Sequence, residues 1–180
     1  MDKIVFDIDS VFHSLSHFVD IEEELYAQLE KHYAYADICQ KLKQTGSKFL
    51  SSFVKSPQEL VSKLQDMYPE YFRNMKMDID NRVRLSFRLD VPIGISGVVS
   101  CDELTENERM TIAEEWRNDC LVKSVKLDRQ IFTGDCQLIL AYSDGIYYFC
   151  TAFPGELAPP LPKAGEKPDV YWETHVFVRE

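Results

Sequence analysis

Apolar residues in the first part of the chain recur with the spacing of helices. Between Ile21 and Leu42 they stand three or four positions apart, and glutamates occupy the first turn, where acidic side chains favour the positive end of a helix dipole. The spacing predicts one long amphipathic helix over residues 21–42. The apolar residues of Phe49–Val54 predict a second, short helix.

A capping pattern marks the next helix. Ser56 precedes Pro57, and Glu59 follows three residues after the serine. A serine oxygen accepts from the free N–H groups of a first turn, and proline is tolerated at the first helical position. We therefore expect a helix from Pro57 to about Met67.

The pattern changes to strict alternation at residue 82. Every second residue of Arg82–Leu89 is apolar, as in a strand with one buried face. Two more strands are predicted at Cys136–Tyr142 and Ile146–Phe153. They are joined by Asp144-Gly145, a pair that tolerates the positive φ of a tight hairpin turn. Residues 171–178 alternate again and predict a closing strand.

Two further segments complete the expected architecture. Thr105–Glu108 repeats the capping pattern and predicts a helix to about Arg117, while residues 156–169 contain four prolines and predict an irregular connection. We expect an α+β fold, with a mainly helical region in residues 1–80 and a small antiparallel sheet with a packed helix in residues 81–180. No linker of Gly, Ser or Pro separates the two regions, so one continuous domain stays an open alternative.

Composition and charge restrict the classes of protein. The chain is 45% hydrophobic and 28% charged, which is ordinary for a globular domain, and its net charge is −10. An acidic surface disfavours nonspecific attraction to nucleic acid, so an RNA-binding role needs a local basic patch. The opening MDKIVFDIDS has acidic residues where a secretory signal would carry lysines, and no apolar run reaches the ~18–20 residues of a spanning helix. We expect a soluble, cytoplasmic protein with no membrane contact.

The cysteines indicate neither disulfides nor a metal site. All five are widely spaced, and none belongs to a CxxC pair, the arrangement typical of thiolate metal ligands. We therefore expect reduced thiols and neither a metal nor a cofactor. The sequence does not predict an oligomeric state.

The N-terminal stretch Ile4–Asp9 resembles the nucleophile motif of haloacid-dehalogenase-like phosphatases. In that motif a hydrophobic strand delivers two aspartates, here Asp7 and Asp9, to a magnesium-assisted phosphoryl transfer. Ser10 stands where the usual glycine would follow, and the rest of the pattern does not predict a doubly wound parallel sheet. A phosphatase is therefore the lesser alternative.

Three arginines stand on the polar face of the first predicted strand. Arg82, Arg84 and Arg88 occupy alternating positions, and alternate strand residues lie ~6.6–7 Å apart, close to the spacing of successive phosphates. This face could bind an RNA backbone. The alternative is that the arginines pair with neighbouring Asp and Glu.

The predicted hairpin carries the most specific motif. Its second strand reads Tyr-x-x-x-Thr-Ala-Phe-Pro-Gly from Tyr147 to Gly155, followed by a proline-rich segment. This stretch resembles the last hairpin of RNase toxin domains in the barnase, EndoU, colicin and RelE-like superfamily, and the similarity covers about residues 82–162. It implies a metal-independent RNase fold, with an RNA partner.

The resemblance also implies roles for individual residues. Thr151 would orient the phosphate, and Arg84, Arg88 or Arg117 would stabilise the phosphorane. Many of these toxins have a histidine on the early strand, where this chain has Ser86. Two alternatives therefore stay open: the chain is an active relative of these RNases, or it is a degenerate one without catalytic activity.

His175 is a separate candidate for acid or base catalysis. It lies on the predicted last strand, on the same face as Glu173, which could orient its imidazole. The alternative is a histidine that is simply half exposed on a sheet.

The rival class is a noncatalytic protein-binding module of the immunity or antitoxin kind. Its acidic surface would complement a basic protein partner and speed association. The two classes differ in one structural expectation, because the nuclease mechanism needs Arg84, Arg88, Arg117 and Thr151 to converge in one concave site.

Overall fold

A computed structural model describes residues 3–117, 119–163 and 165–179. The fold is a mixture of helices and strands, as predicted. In chain order the elements are β1 (Ile4–Val5), α1 (Ile8–Ser14), a 3-10 turn (Leu15–His17), α2 (Glu23–Leu29), α3 (Tyr35–Leu42), β2 (Lys48–Phe49), α4 (Pro57–Met67), α5 (Pro69–Arg73), β3 (Arg82–Arg88), β4 (Gly94–Ile95), β5 (Val98–Ser100), a second 3-10 turn (Cys101–Glu103), α6 (Glu106–Arg109), β6 (Ala113–Arg117), β7 (Cys120–Lys126), β8 (Phe132–Thr133), β9 (Asp135–Ser143), β10 (Ile146–Pro154), α7 (Tyr171–Thr174) and β11 (His175–Arg179). No helix in these ranges is long and apolar enough to cross a membrane.

The main sheet is built around the predicted hairpin. Its strand order is β1-β10-β9-β3, with β9 antiparallel to both β10 and β3. Asp144 and Gly145 have φ angles of 52° and 82°, as a primed two-residue turn requires. The hairpin and the alternating strand β3 are therefore confirmed.

The core lies on one face of this sheet. The apolar residues of β3 and β9 are buried against side chains from α4 and α5, among them Leu60, Leu64 and Phe72. Residues from both sides of position 80 thus share one buried cluster. Helix α4 begins at Pro57, as predicted, and the Ser56 hydroxyl accepts from the Glu59 N–H at 3.2 Å.

Two other sheets complete the described strands. One has the order β5-β11-β7-β6 and packs a smaller core of Val99, Leu104, Val125 and Val176. The other joins the short strands β2, β4 and β8. The structure therefore divides its strands among several sheets, where the sequence pattern predicted one small antiparallel sheet.

The predicted helix over residues 21–42 is wrong, because two helices, α2 and α3, replace it. Leu29 and Ile38 pack in one small cluster with Val11 and Leu15 of the N-terminal turn. In one straight helix these two residues, nine positions apart, would lie on opposite faces, since successive residues are rotated by about 100°. A turn between α2 and α3 allows both to pack in the same cluster.

Three other local predictions are also wrong. The segment Phe49–Val54, predicted as a short helix, begins with the last residue of β2, which pairs with β4, and continues as a turn over residues 51–53. Helix α6 ends at Arg109, and residues 113–117 form β6 because they pair with β7. Residues 171–174 are a helical turn, so the closing strand begins at His175.

Two basic side chains link the helical region to the strands. The Lys48 ammonium donates to the carbonyls of Leu42 at 2.7 Å, Ser16 at 2.9 Å and Phe18 at 3.3 Å. The ring of His17 packs against Phe153, and its Nδ1 lies 3.0 Å from the Ser47 carbonyl. Burial, aided by the charges of Lys48 and Lys41, lowers the pKa of His17 below its usual value of 6.5.

We predict that His17 makes the protein sensitive to mild acid. Its pKa is lower in the folded than in the unfolded state, so the unfolded state binds more protons as pH falls below about 6.5. The free energy of unfolding should therefore decrease between pH 7 and 5.5, as measured by urea denaturation. His17→Gln, which stays neutral, should flatten this dependence, while His32→Gln, on an exposed histidine, should leave it intact. Equal slopes for all three proteins would contradict the prediction.

Candidate functional site

A polar cleft of about 430 Å³ opens at one end of the main sheet. Arg88 at the end of β3 and Asp135 at the start of β9 line one side. Ser96 and Ser100, from the β4 and β5 region, line another. His175, the first residue of β11, also lines the cleft. Elements from each of the sheets therefore contribute to one cavity.

The imidazole of His175 is held by Glu156 and Tyr171. Its Nε2 lies 3.3 Å from the Glu156 Oε1 atom, and the Tyr171 hydroxyl donates to the same oxygen at 2.7 Å. The rings of Tyr171 and His175 stack with centroids 3.9 Å apart and planes 5° from parallel. The Nδ1 atom lies 3.1 Å from the Tyr171 carbonyl and 3.0 Å from the Thr174 hydroxyl. The ring is therefore oriented through both nitrogens and one face.

The carboxylate beside His175 is Glu156 and not Glu173, which strand alternation suggested. The reason is the helical turn α7, which removes Glu173 from the strand. The side chain of His175 is 18% exposed and that of Glu156 is 54% exposed. The pair is thus half enclosed, with the carboxylate on the open side.

Tyr171 is a stable hydrogen-bond donor in this cluster. Its pKa is raised above the usual range, first by burial and then by the hydrogen bond to the Glu156 carboxylate. The phenol therefore keeps its proton at neutral pH and fixes one oxygen of Glu156.

Arg88 is the accessible cation of the cleft. Its side chain is 87% exposed, and its Nε lies 3.7 Å from the Asp135 carboxylate, at the long end of an ion pair. Glu103 also lines the cleft. The described lining of the cavity therefore combines one exposed guanidinium and one imidazole with the carboxylates of Glu103, Asp135 and Glu156.

Two of the other predicted arginines have acidic partners elsewhere. Arg84 donates to the carboxylates of both Asp78 and Asp80, and these bonds raise its pKa. Arg117 pairs with Glu115, and its guanidinium lies 4.3 Å from the ring centroid of Phe177 in the second sheet.

Thr151 lies on the outer face of the main sheet. Its strand partner on β9 is Ile139, which is also the partner of Arg84 on β3, so the side chains of all three face the same way. The structure thus brings Arg88 and His175 together in the cleft and leaves Arg84, Arg117 and Thr151 outside the described residues that line it.

The sequence singled out neither Glu156 nor Tyr171 as a functional residue. Gly155, with φ of 106°, ends the hairpin and turns the chain into Glu156. The signal in the sequence that could have identified Glu156 is its position directly after Gly155, the glycine that follows the strand. Nothing local indicates that Tyr171 would meet it 15 residues later.

The N-terminal aspartates have structural partners. The Asp7 carboxylate accepts from the N–H of Asp9 at 3.0 Å and from the Ser10 hydroxyl at 2.6 Å, which lowers its pKa and caps α1. Asp9 accepts from the Tyr33 hydroxyl. Within the described residues no group of His, Cys, Asp and Glu is arranged to hold a metal ion.

Comparison of the chain with protein-family models, curated proteins and solved structures gives no match. The functional argument therefore rests on the geometry of the cleft.

We predict that Arg88 contributes little to stability. Because its side chain is exposed and its ion pair is long, Arg88→Ala should change the free energy of unfolding by no more than about 0.5 kcal/mol. Leu138→Ala, at a fully buried position of β9, should cost about 2–5 kcal/mol in the same denaturation experiment. If Arg88→Ala lowered the free energy of unfolding as much as Leu138→Ala does, the result would contradict the exposed position of Arg88.

Proposed function

We propose that this protein is a metal-independent ribonuclease that cleaves RNA in the cleft around His175. The observation that carries the proposal is the convergence of an exposed arginine with an oriented imidazole and carboxylate in one polar cavity. The hairpin motif, which resembles that of toxin RNases, supports the same class of reaction.

The reaction would be an attack of a ribose 2′-oxygen on the adjacent phosphorus. Glu156 accepts the proton of the 2′-hydroxyl through Oε2, which is not the oxygen that contacts Tyr171 and His175, and protonated His175 donates a proton to the departing 5′-oxygen. The bond from phosphorus to the 5′-oxygen breaks, which leaves a 2′,3′-cyclic phosphate and a free 5′-hydroxyl. Proton transfer from Glu156 to His175 across their 3.3 Å contact then restores the starting protonation state of both residues.

Arg88 would stabilise the charge that develops on the phosphorane. A guanidinium binds two phosphate oxygens at once, and its exposed position allows it to reach the substrate. Removal of an electrostatic stabiliser of this kind typically costs 10²–10³ in rate. The hydroxyl assigned to Thr151 by the resemblance has no part in this arrangement.

A noncatalytic, acidic protein-binding module is the second candidate. The observation that favours it is the pairing of Arg84, Arg117 and Arg129 with aspartates or glutamates. With these arginines neutralised, the excess of carboxylates on a chain of net charge −10 would attract a basic protein surface.

The deciding experiment measures cleavage of a labelled RNA in the presence of EDTA. The wild type should cleave it, His175→Ala and Glu156→Gln should each lose about 10²–10⁴ in rate, and Arg88→Ala about 10²–10³. Arg73→Ala removes a matched exposed arginine on α5 and should retain full activity. A 2′-deoxy nucleotide at the scissile position should block cleavage.

Three outcomes would contradict this assignment. No cleavage by the wild type would favour the binding module, and capture of a basic partner would be the next experiment. Cleavage unchanged in every variant would indicate a contaminating nuclease. Loss of cleavage in Arg84→Ala and Thr151→Ala but not in His175→Ala would move the reaction to the outer face of the main sheet.

A further inference from the structure

A second cavity, of about 230 Å³ and with mainly apolar walls, lies on the other side of His175. His175 lines both this cavity and the polar cleft. The walls come from β7, the proline-containing segment and α7: Leu121, Val122, Leu161, Pro162, Pro168 and Trp172. His175 therefore borders both a polar and an apolar space.

Trp172 gives the cavity an aromatic wall. Its indole stacks on Phe177 with centroids 4.8 Å apart and meets Tyr171 edge-on at 5.0 Å, so the orientation of the ring is fixed by its neighbours. Its Nε1 is buried and has no hydrogen-bond partner among the described residues. Because this atom is enclosed, a ligand in the cavity would contact the ring and not the N–H group.

A hydrogen bond anchors Pro162 in the proline-containing wall. The Cys120 thiol donates to the Pro162 carbonyl at 2.6 Å, which ties the segment to β7. Proline restricts the backbone conformations that the segment can adopt. A preformed wall lowers the entropy lost when a ligand binds.

We propose that this cavity binds the nucleobase next to the scissile phosphate, an inference that rests on the proposed ribonuclease function. Its volume falls below the ~300 Å³ typical of the smallest drug-sized sites, which suits a single planar base. Trp172 offers an aromatic wall, while Glu114, Glu173 and Lys123 at the lining can bond to polar edges of the base. With the base here, its ribose and phosphate would reach His175 and the cleft.

Nuclear magnetic resonance can test the site without any cleavage. The chain has two tryptophans, so the indole N–H region contains two signals, which Trp116→Phe assigns. Trp116 is 73% exposed and does not line the cavity in the described structure. Titration with adenosine, cytidine, guanosine and uridine should shift the Trp172 signal saturably for at least one nucleoside, and the Trp116 signal less. Ribose 5-phosphate, which lacks a base, should not shift it.

A variant tests the aromatic wall. Trp172→Ala removes the ring against which the base would stack, so the dissociation constant of that nucleoside, measured by isothermal titration calorimetry, should rise about tenfold. In the cleavage assay it should raise KM for RNA by a similar factor and leave kcat nearly unchanged.

The outcomes separate the base site from the reaction. RNA cleavage that depends on His175, without any nucleoside shift at Trp172, would overturn the base site and leave the ribonuclease intact. Nucleoside binding at Trp172 without RNA cleavage would support the base site and overturn the reaction. The absence of both would overturn both.

Discussion

The antiparallel pairing of β9 with its two neighbours is the constraint on which the rest of the structure depends. Through β3 it sets Arg88 opposite Asp135, and through β10 it delivers the chain to Gly155 and Glu156. A slip of one residue would exchange the buried and exposed faces of the sheet. The register that buries the core therefore also positions the cleft.

A buried amide fixes the end of this hairpin. Gln137 is 5% exposed, accepts from the Ser86 hydroxyl at 2.5 Å and donates to the Gly155 carbonyl at 2.9 Å. A buried amide must keep its partners, because an unmade bond there is costly. The residue before Glu156 is thus held by the sheet, although the Glu156 side chain itself lies partly in solvent. Stability of the main sheet and geometry of the cleft are coupled through this one side chain.

Charge pairing explains how an acidic chain can still present a cationic group. Arg84 and Arg117 are held by carboxylates from their own strands or turns, so they add little field outside the protein. Arg88 has a single long contact with Asp135 in the described structure and can exchange it for a phosphate. For the proposed ribonuclease, acidic surroundings would weaken RNA binding away from the cleft, so only a short segment of RNA would be bound.

Local signals in the sequence determined β3, the Asp144-Gly145 hairpin and the start of α4, because alternation, positive φ and capping each act within a few residues. The spacing of apolar residues could not predict the break between α2 and α3 within residues 21–42, nor the strand β6. Both features depend on what each segment packs against. Sequence also singled out Arg88 and His175 separately. Only the tertiary structure joined them to Glu156 and Tyr171, because β10, α7 and β11 meet through contacts between residues far apart in the chain, which no local pattern encodes.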